Sequence, residues 1–214
     1  MHYPADLTLE AARNLYFEAN GFGPDGGYAA VWVDFKLGPI PFPFPNTSGR
    51  RRAVKLHDLH HVLTGYETDF PGELEISAWE IASGCRDYLA AWQLNLGGLA
   101  AGTLLIPRRT FRAFVRGRRS RNLYGTEYGP SLLGKRVGEA RRELGVDGDE
   151  LRATGADGAL FVLANAAGWV VGLASLAIAL PLTVLAWPGL CLAARRAKSR
   201  AAIPATGVKS DAVA

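Results

Sequence analysis

From Gly158 to Ala194 the chain runs for 37 residues without a charged side chain, and the run includes GWVVGLASLAIALPLTVLAWPGLCLAA. A helix that is apolar all round must be buried in a core or leave water for lipid. About 20 apolar residues suffice to cross a bilayer, so this run exceeds one span and approaches the minimum for two short ones. Pro181 and Pro188 predict a kink or turn in its second half. Arg195, Arg196, Lys198 and Arg200 follow at once, and such a basic flank tends to stay cytoplasmic. With the rest of the chain on that same side, the two ends call for a hairpin or a re-entrant segment. The competing reading is a buried helix pair, which the many Ala and Gly residues would suit.

The chain as a whole has the composition of a protein that folds. Of 214 residues, 49% are hydrophobic and 21% charged, which is globular or membrane-associated and not disordered. The expected organisation is a helical domain over 1–150, the apolar segment with its basic flank over 151–200, and a flexible polar end over 201–214. The fold class is all-α: a helical metal-binding domain followed by an apolar, membrane-associated helical segment. MHYPADLTLEAARNLYF lacks a basic start and an apolar run, so no signal peptide is expected; it reads as a helix from near Thr8 to Asn20-Gly21. Cys85 and Cys191 are isolated, which excludes a disulfide framework and a zinc-finger spacing and points to a reducing compartment.

The chemistry concentrates in KLHDLHHVLTGYETDFPGELEISAWE. His57 and His61 are i and i+4, so on a helix both rings leave one face. Asp58 lies about 100° round the helix from His57 and can approach the same point from the flank. Gly65 ends that helix and Pro71-Gly72 starts another, which puts Glu73 in a first turn, where a carboxylate also suits the helix dipole. Helices carrying H-E-x-x-H bind metal with the same histidine geometry. His60, three residues after His57, is the rival for a ligand position. Glu67, Asp69, Glu75 and Glu80 are weaker candidates, with Glu80 placed to support a ligand from behind. The donor set is nitrogen and oxygen without thiolate, which suits zinc, iron(II) or manganese.

Two further segments have a distinct character. Residues 107–121, PRRTFRAFVRGRRSR, hold seven arginines and no acid, with Phe111, Phe114 and Val115 between them. A net charge of only +4 argues against a nucleic-acid partner; attraction to anionic headgroups, with the aromatics in the interface, fits better beside an apolar tail. Tyr88 to Ile106 is uncharged but broken by Gln93, Asn95 and Gly97-Gly98, and reads as a buried or lipid-facing helix pair. With Trp79 and Trp92 it is a candidate channel wall for an apolar chain.

The pattern His57-Asp58-x-x-His61, eleven residues, Glu73 resembles the signature of the coenzyme Q biosynthesis family called Coq-four. HHVLTG after the first histidine, Gly72-Glu73 at the next helix start, Asn122-Leu123-Tyr124, and RRELG at Arg141 to Gly145 extend the resemblance over roughly residues 50 to 146. The resemblance implies a mostly helical protein on the cytoplasmic face of the inner membrane. It further implies that the protein binds an isoprenoid lipid and helps organise other quinone-biosynthesis proteins. The implied reaction is oxidative decarboxylation at ring carbon 1 of a polyprenylated hydroxybenzoate. Carried over, the metal-binding and catalytic residues are His57, Asp58, His61 and Glu73, holding a divalent metal ion (iron, manganese or zinc). A homo-oligomer is compatible with all of this. The first fifty residues lack the family's usual run-in, and the apolar tail is longer than the family needs. Two other functions fit the same residues: a non-catalytic lipid-binding scaffold with a structural metal, and a membrane-bound metal-dependent hydrolase of another lipid.

Overall fold

The computed structural model of the chain describes residues 2–33, 36–37, 40–41, 44–148 and 152–201. Helix dominates them, as the sequence predicts. The chain divides into two units, Met1–Ala174 and Ser175–Ala214.

In the first unit, α1 (Leu9–Asn20) starts at Thr8, whose hydroxyl caps Ala11 N–H, and stops at Gly21 in the left-handed region, φ 66°. Two small antiparallel pairs follow, Trp32–Val33 with Phe44–Pro45 and Lys36–Leu37 with Ile40–Pro41. The sequence reading had no strand in this Pro-rich region. Then come α2 (Ser48–Thr64) and α3 (Phe70–Ser83). Gly65, φ 77°, closes α2, and Asp69 opens α3 by accepting from Gly72 N–H at 2.8 Å.

Next are α4 (Leu89–Leu105), α5 (Pro107–Arg119), a 3-10 turn at Leu123–Gly125, α6 (Pro130–Leu133) and α7 (Val137–Leu144). The core is aliphatic and aromatic, with Leu9, Leu56, Leu59, Val62 and Leu99 wholly buried. The α3 helix lies against both α4 and α5, and glycine permits both approaches: a Cβ at Gly98 would strike the Ser77 side chain, and one at Gly117 the Trp79 carbonyl oxygen.

Three expectations change here. The segment from Tyr88 to Ile106 is one helix, α4, and not a pair; Gly97 and Gly98 do not break it because Gly98 lies where α3 comes closest. Trp79 is a core residue with its indole N–H on Ser120 Oγ at 2.9 Å, so it lines no open channel, and Trp92 donates to Arg86 O at 2.8 Å. In α5 the phenylalanines turn inward, Phe111 and Phe114 both packing edge-on against Phe161.

The last helix, α8 (Gly155–Ala201), carries the apolar run, and Pro181 and Pro188 do not interrupt it. Its start is fixed by a reciprocal cap, in which Thr154 Oγ1 accepts from Asp157 N–H and the Asp157 carboxylate accepts from Thr154 N–H. Arg119 then grips both Asp157 oxygens at 2.8 and 2.6 Å. Gly155–Ile178 is long and apolar enough to cross a membrane. The second unit holds the rest of α8; the polar end, 202–214, lies outside the described residues.

Candidate metal centre

The α2 and α3 helices bring three ligand atoms together. His57 Nε2 and His61 Nε2 are 3.2 Å apart. Glu73 Oε2 lies 3.5 Å from His57 Nε2, and Glu73 Oε1 lies 3.4 Å from His61 Nε2. All three residues offer ligand atoms within 4.8 Å of one another. His61 is buried, whereas the Glu73 side chain is 42% exposed and opens the cluster to the outside.

Hydrogen bonding behind the rings fixes which nitrogens face inward. His61 Nδ1 is 2.9 Å from the Tyr66 carbonyl oxygen, which can only accept, so Nδ1 carries a proton and Nε2 is the nitrogen that faces the cluster. His57 Nδ1 likewise donates to Glu80 Oε1 at 2.9 Å. Two imidazole Nε2 atoms and a carboxylate thus converge. Such an arrangement repels itself unless a proton or a cation lies between. Two ligand atoms held about 2.0–2.1 Å from a tetrahedral ion are about 3.3 Å apart, so the three separations fit one divalent ion. The outward Nδ1–H bonds, one to a carboxylate and one to a carbonyl, are the usual support of metal-bound histidines.

Glu80 is the hub of that support. It is wholly buried. Its Oε1 accepts from His57 and, at 2.6 Å, from His60 Nδ1; its Oε2 accepts from Tyr124 O–H at 2.8 Å and from Asn95 Nδ2. Burial acts to raise its pKa, but the charge and hydrogen bond of His57 and the bond from His60 prevail and hold it well below the ordinary carboxylate value. The same balance holds Glu73 down at about 2: burial opposes, and hydrogen bonds from His57 and His61 prevail. Burial pulls His57 down, yet Glu80 and Glu73 together raise it well above 6.5.

His60, the rival ligand, points the other way. Its Nε2 accepts from Leu123 N–H at 2.9 Å while Nδ1 donates to Glu80, so both nitrogens are used within the core. Asp58 is also turned from the cluster: its Oδ2 accepts from Tyr28 O–H at 2.7 Å and its Oδ1 from Tyr16 O–H at 3.4 Å. Burial raises its pKa. Tyr16 in turn lies along the His61 ring, centroids 5.7 Å apart, so Asp58 braces the cluster from behind. Of the four residues carried over from the resemblance, the structure brings His57, His61 and Glu73 together and places Asp58 one layer back. Asp69 is a helix cap and Glu75 pairs with Arg109.

The supporting residues that the sequence reading left without a role are Tyr16, Tyr28, Asn95 and Tyr124. A signal existed for one of them. Asn122-Leu123-Tyr124 was legible as a motif, and it delivers the Leu123 N–H to His60 and the Tyr124 hydroxyl to Glu80. No family model matches the chain, and neither the curated proteins nor the solved structures include one similar to it.

Proposed function

We propose that the protein is a membrane-associated metal protein of ubiquinone biosynthesis that removes the carboxyl group from ring carbon 1 of a polyprenylated hydroxybenzoate and leaves a hydroxyl in its place. The observation that carries this reading is the convergence of His57, His61 and Glu73, with ligand atoms within 4.8 Å of one another, on two helices whose sequence resembles the Coq-four signature. His57, His61 and Glu73 would hold the ion, with Asp58 acting behind them. A divalent cation there supplies Lewis acidity toward a carboxylate or phenolate oxygen.

The reaction balances as loss of carbon dioxide from the ring and gain of one oxygen atom from dioxygen. Two electrons and two protons from an external reductant take the second oxygen atom to water. In this scheme Glu80 and Tyr66 O hold the His57 and His61 rings in the tautomer that offers Nε2. Half-exposed Glu73 marks the side from which substrate arrives. Its carboxylate stays ionised through the neutral range and adds negative charge that favours a bound cation.

The test is a deletion strain supplied with wild type, His61→Ala or nothing, with prenyl-phenols and quinones read by mass spectrometry and metal content measured on the purified proteins. Loss of quinone with build-up of the carboxylated precursor, rescued by wild type alone, together with loss of metal in His61→Ala, is the expected result. An unchanged quinone pool overturns the biosynthetic role. One observation favours a second reading, a structural metal in a lipid-binding scaffold: the ligand His57 is tied through Glu80 into the fully buried core. In that case His61→Ala would unfold the domain, and an activity defect would track loss of folded protein.

A further inference from the structure

Most arginines of α5 and of the turn after it have partners within the chain. Arg109 pairs with Glu75, Arg116 donates to the Thr64 and Val146 carbonyls, Arg118 and Arg119 face Asp157, and Arg121 donates to Glu143 O. Its phenylalanines are spent as well, on Phe161. Five arginines of α5 are exposed; Arg109, Arg118 and Arg119 face carboxylates of the chain, and Arg108 and Arg112 lie in the first two turns.

Immediately before them, the uncharged α4 ends with Leu104 and Leu105 exposed at 66% and 60%, and Leu94 lies exposed further back. Beside α4 runs the first part of α8. A Cβ at Gly168 would strike Leu96 O of α4, and Asn165 Nδ2 donates to Thr103 Oγ1 at 2.8 Å. These contacts pair Leu96 with Gly168 and Thr103 with Asn165, so the two helices run antiparallel. Val162 and Leu163, each 66% exposed, therefore lie near the Leu104–Leu105 end of α4.

We infer that the α4–α8 face of the first unit is a lipid-contacting surface, seated with Leu104, Leu105, Val162 and Leu163 below the headgroups of an anionic bilayer and Arg108 and Arg112 at the phosphates. Two helices without an exposed acid on this face, each showing large aliphatic side chains to the outside, leave water only by meeting an apolar phase. Arginines set at one end of the patch give it a polarity that a bilayer interface satisfies, with apolar groups inward and cations at anionic headgroups. The close approach at Gly168 makes the two helices move as a pair, so whatever takes α8 into lipid brings α4 with it. This inference deepens the reading of a membrane lipid as substrate, because α4 also carries Asn95 to Glu80.

The test uses the full chain with Cys191→Ser, the wholly buried Cys85 being left in place. Spin labels are attached at Leu105→Cys and, as a control on α1, at Leu15→Cys. In vesicles of phosphatidylcholine and phosphatidylglycerol, collision with oxygen should exceed collision with a water-soluble nickel chelate at position 105, and the order should invert at position 15. Adding Arg108→Glu and Arg112→Glu should shift the label at 105 toward the aqueous ratio, with metal content and circular dichroism unchanged. An aqueous ratio at position 105 in the unaltered arginine background overturns the inference. So does spin–spin broadening that vanishes on dilution with unlabelled protein, since a second copy would then cover the face. The collision measurement needs neither metal nor substrate, so its failure leaves the metal reading standing, and loss of metal by His61→Ala leaves this face standing.

Discussion

At Glu80 a carboxylate has been taken fully out of water and given four donors, from His57, His60, Asn95 and Tyr124, which is about all that its two oxygens can accept. A buried charge is tolerated only when paired and hydrogen-bonded. Glu80→Gln keeps the shape but turns one oxygen into an NH2 that faces two donors. Metal affinity should fall about 10–100-fold, measured by competition with a chromophoric chelator, while Tyr124→Phe, which removes one donor of four, should cost less.

Acid and base act on the same residues from opposite sides. Glu73 and Glu80 sit below the unfolded value of 4.5, Glu73 at about 2, so their contribution to stability is complete above about pH 4.5 and is lost as pH falls toward those folded values. His57 sits above its unfolded value of 6.5, so its contribution is complete below that pH and is lost as pH rises through the folded value. Metal-free protein should therefore lose stability as pH falls below about 4.5, as urea unfolding across pH would show; stability undiminished down to pH 3 would contradict this balance.

The candidate ligand triad was legible because helical spacing alone aligns His57 with His61 and a Pro-Gly helix start places Glu73. The bracing of Asp58 was not legible. Its tyrosines come from 42 and 30 residues earlier in the chain, from α1 and the glycine-rich turn, and no local period links them to it.

Among the elements, α2 depends most on what closes its end. Its last carbonyls have no partner within the helix, and Arg141 of α7, itself buried, donates to Leu63 O at 3.0 Å and Val62 O at 3.1 Å, and to Tyr3 O at 3.2 Å. Arg116 of α5 takes Thr64 O at 2.9 Å. The turn that carries His61 is thus held by guanidinium groups from two other helices. Arg141→Met leaves three carbonyls short of a donor and should cost about 3 kcal/mol, measured by urea unfolding, with metal affinity falling as the last turn of α2 loosens. RRELG was visible as a motif, and Gly145 does end α7 in the left-handed region, φ 68°. The purpose of its first arginine was hidden because the carbonyls it serves lie 78 and 79 residues away. The α4 segment was misread for a related reason: Gly97-Gly98 is a breaker by local propensity, and only the proximity of Ser77 turns it into a packing surface.

For the molecule as a whole, an ion bound by α2 and α3 acts as a cross-link between two helices of the central packing. A ligand present at about 100 times its Kd adds about 2.7 kcal/mol to the folded state, which for a chain of this size corresponds to roughly 5–10 °C. Chelation should lower the melting temperature of detergent-solubilised protein by that amount and metal should restore it, with His61→Ala indifferent to both; scanning fluorimetry reads the difference.

The order of the parts along the chain has a consequence for how the protein is made. Every side chain that forms or braces the cluster lies between Tyr16 and Arg141, and α8 begins only at Gly155. Synthesis proceeds from the N-terminus, so the ribosome delivers the whole site before it delivers the apolar helix. An ion that bound the cluster would find the nascent domain complete before α8 emerged.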